Sequence, residues 1–179
     1  MLKAPTSVAT QAIAACAVLV TAAGCSSSDG SPTRGTAGGV GRPADACTML
    51  SSDQVASAVG TPGPYNGSHE DPGADGNPVW GCAWGTSDSS ADIREMTAAR
   101  FAALPGLTDF TTKPITGIGD KALLATMNPD GRNPSVWFAA RGHYYVVSVE
   151  VSRSELGAGN APRENTAEQT LARILAAQL

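Results

Sequence analysis

Apolar and polar positions divide the chain into three unlike stretches. Residues 12–21 (AIAACAVLVT) form one short apolar block, preceded by the single positive charge of Lys3 and followed by the small residues Ala22, Ala23 and Gly24. That order of charge, apolar centre and small residues describes an export signal over 1–24. The block is about half the length a spanning helix requires. Residues 26–44 (SSSDGSPTRGTAGGVGRPA) hold almost nothing to bury and read as a flexible tether reaching on the order of 25 Å.

From residue 45 onward the pattern is that of a folded domain. Ser51 followed at the capping-box spacing by Gln54, with Val55 and Val59 one turn apart and Gly60 as a stop, predicts a helix of about two turns. Residues 61–78 carry repeated Pro and Gly and read as a long polar loop. Trp80, Cys82 and Trp84 alternate with small residues, which places all three on one face of a strand. Ile93, Met96, Phe101 and Leu104 recur at helical spacing before Pro105-Gly106, predicting a helix over 92–104, with extension of the preceding strand through 91–96 as the alternative. Residues 122–127, 135–140 and 144–152 are β-type runs separated by turn residues, an antiparallel meander. In the last run Tyr145, Val147, Val149 and Val151 share one face, and Tyr144, Val146, Ser148 and Glu150 form a wetter one. Asn160-Ala161-Pro162 then opens a final helix with Ala167, Leu171, Ile174, Leu175 and Leu179 along one side. The expected fold is α+β: an antiparallel sheet packed by a short N-terminal and a longer C-terminal helix. With 179 residues there is room for one such domain, over 45–179.

Cysteine usage adds the compartment. Gly24-Cys25 after small residues resembles a bacterial lipobox, so Cys25 is expected to carry diacylglycerol and palmitate-like acyl chains and to begin the mature chain, on 25–44 as tether. Ala22 stands where a larger aliphatic residue is usual; without lipidation the product would be secreted. Several acyl chains, at about 0.8 kcal/mol per buried methylene, hold a protein on the outer face of the cell membrane. Cys16 lies inside the leader. The remaining pair, Cys47 and Cys82, reads as a disulfide in an exported protein. A zinc site would need a second close-spaced ligand pair, and none is present beside His69 and His143.

Cys47 before the Leu50-Ser51-Ser52-Asp53-Gln54-Val55-Ala56 helix ending at Gly60, then Cys82-Ala83-Trp84, then Gly117-Ile118-Gly119-Asp120, resembles the domain of unknown function in actinobacterial lipoproteins of the mycobacterial Lpr and Lpp types. The likeness spans roughly residues 44–179. Members usually have Pro before the first cysteine, where this chain has Ala46. The resemblance implies an envelope-facing domain with no established activity.

Charge and side-chain chemistry narrow the rest. Twelve basic against sixteen acidic residues, a net charge of −4, argue against nucleic acid as a partner. No nucleophile elbow is present, so no catalytic residue, cofactor or metal ligand is assigned. Asp71, Gly73, Asp75 and Gly76 miss the calcium-loop pattern, and Gly117–Asp120 reads as a turn rather than a phosphate loop. The leading expectation is a non-catalytic binding or accessory domain for an envelope lipid, glycan or protein, with Tyr65, Trp80, Trp84 and Trp137 as candidate pocket walls. The alternative is an envelope-polymer hydrolase using the acidic loop residues Glu70, Asp71 or Asp75 with His69 or His143.

Overall fold

The structure, a computed structural model, describes residues 42–73, 76–154 and 158–179. The leader, Cys25 and most of the tether lie outside the described residues, as does Asp75. Helix α1 (Ser52–Val59) has the predicted capping box, in which the Ser51 hydroxyl accepts from the Gln54 amide and the Gln54 side chain from the Ser51 amide. Gly60, in the left-handed region at φ +77°, ends it. Seven strands follow: β1 (Asn66–His69), β2 (Gly81–Gly85), β3 (Ser90–Met96), β4 (Phe110–Ile115), β5 (Lys121–Met127), β6 (Ser135–Ala140) and β7 (His143–Glu150). They form one sheet of order β1-β2-β3-β7-β6-β5-β4 with every neighbouring pair antiparallel. Two meanders are thus joined where β3 meets β7.

The short helix α2 (Ala98–Ala103) lies between β3 and β4, and α3 (Ala161–Gln178) closes the chain. Helices α1 and α3 pack on each other, and α3 covers β6 and β7. Between them and the sheet lies the larger core, built on Val55, Val59, Cys82, Trp84, Ile93, Phe138, Tyr145, Val147, Leu171 and Leu175. The predicted face of Tyr145, Val147, Val149 and Val151 is the one that enters it. The α+β class, both terminal helices and the meander are as expected, and so is the disulfide: Cys47 and Cys82 are joined with Cα atoms 5.1 Å apart. Cys82 is fully buried, and the Trp80 ring packs edge-on against Tyr145 on the same side of the sheet. No helix among the described residues is long and apolar enough to cross a membrane.

Three expectations are corrected. Residues 92–104 are not one helix: β3 takes 90–96, and only Ala98–Ala103 is helical, started by Thr97, whose hydroxyl accepts from the Arg100 amide. The spacing of Ile93, Met96, Phe101 and Leu104 mixed two elements that serve two cores, since Ile93 faces the larger core while Phe101 and Leu104 join a second cluster on the other face. The segment 61–78 is not all loop, because β1 pairs with β2 and Tyr65 is buried with its hydroxyl hydrogen-bonded to Ser89 at 2.6 Å. Finally, β4 was not foreseen; its Pro114 is tolerated because β4 is an edge strand.

The turn before β5 fits glycine only at a specific point. Gly119 has φ +54°, and a Cβ there would stand 2.2 Å from the Ala139 carbonyl oxygen. The Asp120 amide donates to that same carbonyl at 2.7 Å, so the backbones cannot separate without losing the bond. Gly119→Ala is expected to destabilise the domain by about 2 kcal/mol or more, read from the urea midpoint.

Candidate functional site

The face of the sheet turned away from α1 and α3 is only partly covered. Register fixes what it displays: Asp92, Arg94 and Met96 of β3 stand opposite Ser148, Val146 and Tyr144 of β7, and Val146 in turn faces Trp137 of β6. Helix α2 covers one corner, where Phe101 and Leu104 pack with Leu123, Ala125, Trp137 and Val146. The remainder is open and holds two adjoining cavities that share Phe110, Ser135 and Ser148.

The first, of about 490 Å³, has Met96, Phe110, Trp137 and Val146 among its walls and Arg94, Glu95 and Arg100 at its rim. Trp137 is held by its indole N–H donating to the Ser135 hydroxyl at 2.9 Å, with the Arg100 guanidinium 5.8 Å from its ring centre. The second, of about 370 Å³, is polar and acidic, lined by Asp92, Glu150 and Glu164 with Ser90, Ser148 and Ser152. It exists because β7 outruns β6: the last pair between them on this side is Val136 with Val147. Two glutamates of α3 take over from the missing strand. Glu168 accepts the Val149 N–H at 3.1 Å, and Glu164 accepts from the backbone of Val151.

This substitution leaves carboxyl groups in a dry place. Glu168 is 0% exposed and its second oxygen has no hydrogen-bond partner among the described residues. Burial raises its pKa well above the usual range, opposed by the Val149 amide and reinforced by the charges of Glu164 and Asp92. Asp92 is pushed up to about 6, first by burial, with Arg94 pulling down and Glu70 pushing up. Burial also raises Glu164.

A third cavity, of about 670 Å³, lies under the 61–78 segment, with Arg42, His69, Glu70, Trp80 and Glu95 in its walls. Here Arg42, the first described residue, is clasped to the domain: its guanidinium lies 4.8 Å from the Trp80 ring centre and pairs with Glu95, while the Trp80 indole donates to the Pro43 carbonyl at 2.9 Å. Glu95 also holds His143, with Nδ1 2.7 Å from its oxygen.

The four candidate aromatics therefore do not share a pocket. Tyr65 and Trp84 are core residues, Trp80 belongs to the loop cavity, and Trp137 alone lines the open face. The reason is parity along the strands: Trp84 and Trp137 point to opposite faces of the sheet. Of the residues named for hydrolysis, His69 and Glu70 meet in the loop cavity, and His143 is not among the walls of any of these three cavities. Asp45 and His69 also come near the Cys47 sulfur, but that sulfur is bonded to Cys82 and offers no thiolate to a metal. Arg94 and Arg100 were not foreseen as site residues. Glu164 and Glu168 were not either, though their spacing with Leu171 and Leu175 sets them on the buried side of α3, a signal legible in the sequence.

Searches of protein-family models, curated proteins and solved structures find no match to this chain.

Proposed function

We propose that the chain is an exported lipoprotein, anchored through Cys25 on the outer face of the membrane, whose domain is a non-catalytic module that binds an envelope ligand on the open face of its sheet. The observation that carries the binding role is the 490 Å³ cavity walled by Trp137, Val146, Met96 and Phe110, a size and a mixture of apolar walls with a few polar groups typical of small-ligand sites. The anchor rests on the leader, the small residues before Cys25 and the tether. The disulfide between Cys47 and Cys82 agrees with an oxidising compartment. The resemblance to actinobacterial envelope lipoproteins points the same way.

The hydrolase alternative keeps one observation, the meeting of His69 and Glu70 in the loop cavity. The His69 side chain is 73% exposed, its nearest acid, Asp45, is 3.8 Å away, and His143 is drawn to Glu95 instead. The binding role accounts for more of the geometry.

Intact mass of the native product tests the anchor, with Cys25 expected to be the first residue and to carry the mass of its acyl chains. Cys25→Ser is expected to release the protein into the medium. An unmodified Cys25 in membrane-bound material would overturn the anchor. Native mass spectrometry of the released chain tests the binding role, which predicts retention of a small molecule taken up in its own envelope.

A further inference from the structure

The walls of the larger open-face cavity say which chemistry it selects, given the binding role proposed above. We infer that it takes an amphiphile with an anionic head, a carboxylate or a phosphate, placed against Arg94 and Arg100, and an apolar chain laid along Met96, Phe110, Trp137 and Val146. The protein as a whole is acidic, with a net charge of −4, so a basic spot needs a local cause. Glu95 is the one carboxylate among the described residues lining this cavity, and it is engaged by both Arg42 and His143. Arg100 makes no ion pair among the described residues; its guanidinium lies over the Trp137 ring, 5.8 Å from the ring centre, and the residue is exposed. Arg94 has Asp92 at 3.5 Å, and its side chain is half exposed. Guanidinium groups bind carboxylate and phosphate through charge-assisted hydrogen bonds, so two at one rim select an anion.

The adjoining notch fixes the orientation. Asp92, Glu150 and Glu164 line it, so an anionic head is repelled there and drawn to the arginine end. A purely polar anion would leave the apolar wall wet, and a neutral lipid would leave the Arg100 guanidinium with no anionic partner among the described residues, Arg94 having only Asp92. The amphiphile satisfies both halves of the cavity.

The test titrates the exported chain carrying Cys25→Ser with dodecyl phosphate, below its micelle threshold, by calorimetry. Dodecyl maltoside and dodecyltrimethylammonium share its chain, and inorganic phosphate shares its head. Dodecyl phosphate is expected to bind saturably, about tenfold or more tighter than each of the three controls. Arg100→Gln and Arg94→Gln are each expected to weaken dodecyl phosphate by about tenfold while leaving dodecyl maltoside unchanged. Equal binding of dodecyl maltoside, equal binding of inorganic phosphate, or indifference to both substitutions overturns the inference. If the protein retains a non-ionic molecule from its own envelope and ignores dodecyl phosphate, the binding role stands and the anionic reading falls. If it retains nothing and binds no probe, both fall.

Discussion

Replacing Cys47 and Cys82 together by alanine is expected to cost about 4 kcal/mol of folding stability and to lower the midpoint of thermal unfolding by on the order of 10–20 °C. The bond closes a loop with a sequence separation of 35, which removes much freedom from the unfolded chain. It also fastens the single turn of 3₁₀ helix at 46–48, ahead of α1, to the interior of β2, reinforcing the packing of Ala46 and Met49 in the larger core. Cys82 is fully buried, so its loss leaves a small void in the larger core as well. Thermal and urea unfolding of the double variant, beside the oxidised and the reduced parent, measures the effect. A variant within about 1 kcal/mol of the oxidised parent would mean that helix and sheet packing alone hold the N-terminal segment in place.

The second large effect is a fall in stability as pH rises from about 4.5 to 8. Glu168 and Asp92 both have pKa values raised in the folded state, so the folded protein holds protons that the unfolded chain releases. The stability due to their protonated forms is complete below the unfolded values near 4. It is lost as pH passes the folded values, about 6 for Asp92 and higher than the usual carboxylate range for Glu168. Glu164, also raised, adds to the same slope. Arg94 and Arg163 oppose it, whereas Glu70 and Glu150 reinforce it. Asp88 has the contrary sign: its carboxylate accepts the Ser154 amide, which lowers its pKa, so its contribution is lost only as pH falls below about 4. Glu168→Gln keeps an acceptor for the Val149 amide and removes the titration, so it is expected to flatten the pH dependence while holding stability near pH 5. Glu168→Leu strands that amide in a dry site and is expected to cost about 1–3 kcal/mol near pH 5, and less at pH 8, where the parent has lost the stability of its protonated carboxyl. Urea midpoints at pH 5 and pH 8 for parent and both variants separate these cases. A parent more stable at pH 8 than at pH 5 would show that Glu168 is ionised in the fold.

How much of this was legible depends on how one-sided each element is. Helix α1 was readable because Ser51, Gln54 and Gly60 each act locally, through hydrogen bonds a few residues long. Strands β5, β6 and β7 were readable as apolar β-type runs bounded by turn residues, because one face of each enters the larger core and the other carries Leu123, Ala125, Trp137 or Val146 of the second cluster. Strands β1 and β4 run along the borders of the sheet, where the burial of Asn66–His69 is nil and that of Phe110–Ile115 slight, so no alternation announces them. The spacing over 92–104 suggests one helix because a strand feeding one core and a six-residue helix feeding another imitate one helical repeat, and it is the alternative of a strand through 91–96 that the structure bears out. Of the larger open-face cavity, Trp137 was the one wall named from the sequence. Arg94 and Arg100 become neighbours of a cavity through strand register and the placement of α2, and neither leaves a mark in local sequence. The carboxyl-lined notch depends on β6 starting two residues too late to accompany the end of β7, a matter of relative strand length that no single segment records.

The two borders of the sheet have a bearing on how copies of the chain meet. On one side stand four residues of Asn, Gly, Ser and His, too few and too hydrated to template a neighbour; on the other, Lys113 and Pro114 interrupt the ladder with a charge and a missing amide. Where copies collide, a domain with open, sticky sheet margins would zip into fibres. This one meets its twin with margins that will not join.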